Sequence, residues 1–94
     1  MIAVEQTGHD EPMDFKVTIT EGSGQSIHHV TMSKASFDQL SRGECSAPRC
    51  IEAAFAFLLE REPKEAILGS FDVTIISRYF PEFERKIGDY LPRA

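Results

Sequence analysis

The chain has 94 residues, 41% of them hydrophobic and 27% charged, and a formal net charge of −5. That length makes one domain, able to bury roughly 60–65% of its unfolded surface without disulfide or metal staples. It excludes a membrane-spanning helix, because no window nears the ~20 apolar residues one needs, and the acidic balance excludes a general basic footprint for nucleic acid.

Residues 1–14 hold Glu5, Asp10, Glu11 and Asp14 and neither Lys nor Arg, so they carry −4 and the remaining residues −1. With Gly8, His9 and Pro12 and no sustained hydrophobic period, residues 1–12 read as a flexible acidic arm ahead of a single domain over 13–94. The N-terminus lacks the basic, apolar and small-residue order of a secretory signal, so the expected compartment is the cytoplasm.

Residues 13–32 predict a β-hairpin. Phe15, Val17 and Ile19 alternate with Lys16, Thr18 and Thr20, the period of a half-buried strand. A four-residue loop, Glu21-Gly22-Ser23-Gly24, sets Val17 opposite His28, Phe15 opposite Val30 and Met13 opposite Met32. A one-residue slip would turn Val30 and Met32 to the wrong face. Ser33 or Ser36 then opens a helix, with Phe37 and Leu40 inward and Gly43 as a left-handed cap.

Pro48 suits the first turn of a second helix reaching about Arg61. Its apolar stripe, Ile51, Ala54, Phe55, Leu58 and Leu59, is broadened by Cys50, Ala53 and Phe57, which makes it the central element. Pro63 breaks it. A short helix from Pro63 to Leu68 follows, with Ala66, Ile67 and Leu68 inward. Asp72 can cap the next turn. Val73–Phe80 has strand propensity but helical spacing, and we read it as helix. Pro81 starts a last helix carrying Phe83, Ile87, Tyr90 and Leu91, and Pro92 stops it. The predicted fold class is α+β: a two-stranded antiparallel hairpin packed on a small bundle of four to five short helices.

The blocks FLLEREPKEAIL (Phe57–Leu68) and FDVTIISRYFPEFE (Phe71–Glu84) resemble a recurring pattern in short bacterial proteins with no assigned activity. The resemblance implies a bacterial, cytoplasmic, single-domain protein. It brings no functional residues with it.

The strongest surface candidate is Tyr79-Phe80-Pro81-Glu82-Phe83, with Arg78 beside it. Three aromatics within five residues cannot all face one core, and surface aromatics anchor protein contacts. Glu60, Arg61, Glu62 and His28 are secondary candidates. Glu60 and Glu62 do not face each other on a helix, whereas Arg61 can reach Glu82 or Glu84 and tie the two proline corners together. His28 and His29 point to opposite faces of a strand. Cys45 and Cys50 are expected as free thiols in a reducing compartment. A C-x4-C pair supplies only two of the four ligands zinc takes. Glu44 beside Cys45 opposes thiolate formation. No metal, cofactor or catalytic set is therefore expected.

Three functions stay open. The first is a small non-enzymatic interaction or accessory domain that binds a protein partner, or itself, through the aromatic corner or an open hairpin edge. The second is a small enzyme or ligand-binding domain using Glu60, Glu62, His28 and Arg78, which requires a shared pocket. The third, disfavoured by the near-neutral body, is a nucleic-acid patch of Lys34, Arg42, Arg49, Arg78 and Lys86.

Overall fold

The computed structural model describes residues 1–91. Strands β2 (Met13–Glu21) and β3 (Gly24–Met32) form the expected hairpin in the expected register, with Met13 opposite Met32, Phe15 opposite Val30 and Val17 opposite His28. Met13, Phe15, Val17, Ile19, Val30 and Met32 are all buried, which is what fixes the register. The turn is tighter than expected, because Glu21 and Gly24 still pair and Gly22 takes φ 59°, a conformation glycine adopts readily.

Residues 1–12 are not a free arm. Strand β1 (Ile2–Gly8) runs antiparallel to β2, with Ile2 opposite Ile19 and Val4 opposite Val17. Two apolar residues in alternation are too few to reveal a strand, and the partner β2 decides the conformation. The connection to β2 is itself anchored, since the Glu11 carboxylate accepts from the Lys34 amide at 3.1 Å.

A second correction concerns the other edge of the hairpin. Strand β4 (Ser70–Asp72) pairs parallel to β3, placing Ser70, Phe71 and Asp72 beside His29, Val30 and Thr31. The sheet is therefore mixed and four-stranded, in the order β1-β2-β3-β4, rather than a two-stranded hairpin. Three residues carry no readable period. This strand is held by bonds from the His29 amide to the Gly69 carbonyl and from the Val73 amide to the Thr31 carbonyl. The Thr31 hydroxyl also donates to Asp72 Oδ1 at 2.6 Å.

The helices lie against the inner face of this sheet. Helix α1 (Lys34–Ser41) is capped by Ser33, whose hydroxyl oxygen accepts from the Ser36 amide, and it ends with Arg42 and Gly43 both at positive φ. Helix α2 (Ala47–Leu59) has Ser46 as its cap and Pro48 in its first turn. Cys50, Ile51, Ala53, Ala54, Phe55, Phe57 and Leu58 are buried, so α2 is the hub of the core.

After Pro63 the chain makes only a 3-10 turn (Lys64–Ala66), and of the three residues expected inward only Ile67 is buried. Ala66 and Leu68 face outward, because a single tight turn cannot present three consecutive side chains to one core. Val73–Phe80 contains helix α3 (Thr74–Tyr79), with Asp72 Oδ2 accepting from the Thr74 amide at 3.1 Å. The expected last helix is divided into α4 (Phe83–Lys86) and a 3-10 turn (Ile87–Asp89) containing Gly88, a poor helix former. Phe83, Ile87 and Leu91 are buried as the spacing requires. Pro92, expected to stop the helix, lies outside the described residues. Among the described residues, no helix is long and apolar enough to cross a membrane.

Candidate functional site

The aromatic corner divides its three rings between core and surface. Phe83 is buried against Phe57, with ring centroids 5.0 Å apart. Phe80 is half-buried and meets Phe57 edge-on at 5.9 Å. Tyr79 is 68% exposed. Ile75 and Tyr79 stand four residues apart on one side of α3, and Ile76 and Phe80 on the next, so the helix offers two apolar rows at different depths.

The outer row borders an apolar concavity. Pro63 turns the chain away from the axis of α2, and the 3-10 turn and Leu68 then rise opposite α3. Between them lies an open apolar groove of about 360 Å3. Buried Leu58, Ile67 and Ile76, half-buried Phe71, Ile75 and Phe80, and exposed Ala66, Leu68 and Tyr79 line it. Among the described residues, Glu62 is the one charged side chain in its lining. Leu68, 49% exposed, and Tyr79 are its apolar lips. The Glu62 carboxylate makes no ion pair among the described residues.

Arg61 fixes the corner from behind. Its guanidinium lies 3.7 Å above the Phe57 ring. Nη1 donates to the Phe57 carbonyl at 3.1 Å and to the Tyr90 hydroxyl at 3.4 Å, and Nε donates to Glu82 Oε2 at 3.4 Å. The bridge from Arg61 to Glu82 joins the Pro63 and Pro81 corners, as the sequence suggested. The Tyr90 hydroxyl, and after it Glu82, raises the Arg61 pKa above its ordinary value. Glu82 is held below the usual carboxylate range by its own backbone amide and by Arg61.

The remaining candidates are dispersed. Glu60 accepts the Tyr90 hydroxyl at 2.9 Å and does not line the groove. His28 is 2% exposed; its Nδ1 lies 2.7 Å from the Leu68 carbonyl and its Nε2 2.9 Å from the Ser26 hydroxyl. A carbonyl only accepts, so Nδ1 carries the proton and donates. Arg78 is exposed on α3 and does not line the groove. Of Glu60, Glu62, His28 and Arg78, only Glu62 reaches the cavity. Lys34, Arg42, Arg49, Arg78 and Lys86 are spread over α1, its C-terminal cap, α2, α3 and α4, and Arg49 pairs with Glu52.

Both thiols are free. Burial, and then the neighbouring Cys45, pushes the Cys50 thiol up to about 12. Burial and Glu44 raise Cys45. Neither is therefore poised as a nucleophile at neutral pH. No group of three His, Cys, Asp or Glu side chains among the described residues is placed to hold a metal ion.

Of the groove lining, sequence reasoning singled out only Glu62, Tyr79 and Phe80; Leu68 and Ile75 are among the residues it missed. The four-residue interval between Ile75 and Tyr79 was the available signal. Leu68 gave none, because its outward orientation depends on where the Gly69–Ser70 backbone joins the sheet. No protein family, curated protein or solved structure matches the chain.

Proposed function

We propose that this domain is a protein-interaction module whose docking site is the groove between Leu68 and Tyr79. Its occupant is a segment of a partner protein that presents a large apolar side chain next to a lysine or arginine. The observation that carries this is an apolar concavity of about 360 Å3 with exposed apolar lips and, among the described residues, a single carboxylate, Glu62, in its lining. The volume falls in the range of ligand-sized clefts. A tyrosine at the lip supplies contact area with little side-chain entropy to lose. Glu62 selects for a cation beside the apolar anchor.

A catalytic use of Glu60, Glu62, His28 and Arg78 draws no support from their placement. A cytoplasmic setting belongs to the same proposal, since two unpaired thiols suit a reducing compartment. A bacterial origin rests on the Phe57–Leu68 and Phe71–Glu84 blocks alone.

Selection of a random peptide library on immobilised protein tests the site. The wild type enriches peptides with an aromatic or long aliphatic residue within two positions of Lys or Arg. Ile75→Asp abolishes that enrichment, and Tyr79→Ala weakens the selected peptides about tenfold, the usual scale for a truncated anchor. Enrichment that survives Ile75→Asp, or no enrichment at all, contradicts the proposed site.

A further inference from the structure

The far edge of β1 is a second surface, at the end of the sheet. The Met1 amine donates to the Thr20 carbonyl at 2.7 Å, and the Thr20 amide donates to the Met1 carbonyl at 2.9 Å. Met1 and Thr20 are thus a bonded pair, and bonded pairs alternate along an antiparallel ladder. Ala3 and Glu5 therefore bond towards β2. Ile2, Val4 and Gln6 turn their N–H and C=O groups away from it, where the sheet order places no strand among the described residues.

Edge strands are ordinarily blunted by lysine, proline, shortness or a bulge. β4, at the opposite edge, is three residues long. β1 is seven residues long, has neither Lys nor Pro, and has its only irregularity at its end, between Gln6 and Gly8. Coverage of the inner face also stops short here. Phe15, Val17 and Ile19 of β2 are fully covered, whereas Ile2 and Val4 are only half-buried. Beside Ile2 a cleft of about 170 Å3 runs along α2, lined by Ala53, Ala56 and Tyr90 among others. One more strand would extend the ladder and set its own inner-face side chains over that cleft.

We infer that the added strand is β1 of a second copy, paired antiparallel about a two-fold axis at Val4. The sequence of the strand selects this register. With the axis at Val4, Ile2 of each copy bonds opposite Gln6 of the other, Val4 opposite Val4, and Glu5 faces Ala3. That gives about six new backbone hydrogen bonds. An axis at Glu5 would set the two glutamates against each other and run the pairing into the bulge. An axis at Ala3 would leave Gln6 unpaired. The pairing is isologous, so it closes at two chains.

This interface is separate from the groove at Tyr79, and light scattering over a concentration series tests it on the chain tagged only at its C-terminus. The wild type shifts towards twice the monomer mass as concentration rises, and Tyr79→Ala does the same. Val4→Pro removes an outward N–H and part of a half-buried side chain but no bond to β2, so the far-UV circular dichroism keeps the wild-type form with a lower urea midpoint while the mass remains monomeric at every concentration. Ala3→Glu sets like charges opposite each other twice and weakens dimerisation about tenfold, whereas Ala3→Lys strengthens it. A wild type that stays monomeric up to about 1 mM, on the weak edge of the affinity scale, overturns the inference. So does a dimer that survives Val4→Pro with the fold intact. Equal effects of Ala3→Glu and Ala3→Lys overturn the register.

Discussion

The Asp72 carboxylate receives the Thr31 hydroxyl on Oδ1 and the amide and hydroxyl of Thr74 on Oδ2, the latter two at 3.1 and 2.7 Å. It thereby ties β3 to the start of α3. Burial pushes its pKa up, but the bonds from Thr31 and Thr74 outweigh burial and hold it below the ordinary value. A carboxyl depressed in the folded state stabilises the fold above its unfolded pKa of about 3.9, and that contribution disappears as pH falls through the folded value. Asp72→Asn is accordingly less stable than the wild type at pH 7, and the gap narrows on acidification. Urea midpoints at pH 7 and pH 2.5 check this, and an equal gap at both pH values removes the charge from the explanation. His28 contributes differently, as a buried ring satisfied at both nitrogens and packed 5.6 Å from Phe55. Its side chain supports the Leu68 lip of the groove through that residue's carbonyl.

Among the elements, β1 separates this fold most sharply from a hairpin on a helical bundle. It covers one edge of β2, and Ile2 and Val4 pack against the core. Deleting residues 1–8 should lower unfolding stability by about 2–4 kcal/mol, from the apolar area lost at β1 and newly exposed on β2. Urea denaturation of the shortened chain measures it, and an unchanged midpoint would mean that the segment is an arm after all. The sequence showed the hairpin register because six inward residues alternate over two strands. It showed α2 because an apolar face wider than half a turn has no solvated solution. It showed α3 through its interval of Val73, Ile76 and Phe80 against the local strand propensity. β1 and β4 were hidden for the opposite reason: each is specified by its neighbour in the sheet, and neither is long and apolar enough to announce itself. The groove was half legible. Its aromatic wall follows from the crowding of Tyr79, Phe80 and Phe83, whereas its opposite wall exists only once β4 has drawn Leu68 to the surface.

At the scale of the whole molecule, the apolar interior is continuous from the inner face of the sheet through α2 to Phe83, Ile87 and Leu91. Among the described residues, two of the places where that interior reaches solvent differ in shape. One is the groove at Leu68 and Tyr79, which suits an inserted side chain. The other is the edge of β1, which suits a strand. The groove lies between two corners joined by Arg61 and Glu82. That bridge is partly exposed and contributes only about 0–1 kcal/mol. Its effect on the site is positional, since it sets the angle between the end of α2 and α4. The groove is the centre of the account, and amide chemical-shift mapping during titration with a short peptide carrying Leu or Phe beside Arg tests it most directly. The expected result is saturable shifts centred on Glu62, Leu68, Ile75 and Tyr79, absent in Ile75→Asp. Shifts confined to β1 or to the outer face of the sheet, or no shifts at millimolar peptide, would contradict it.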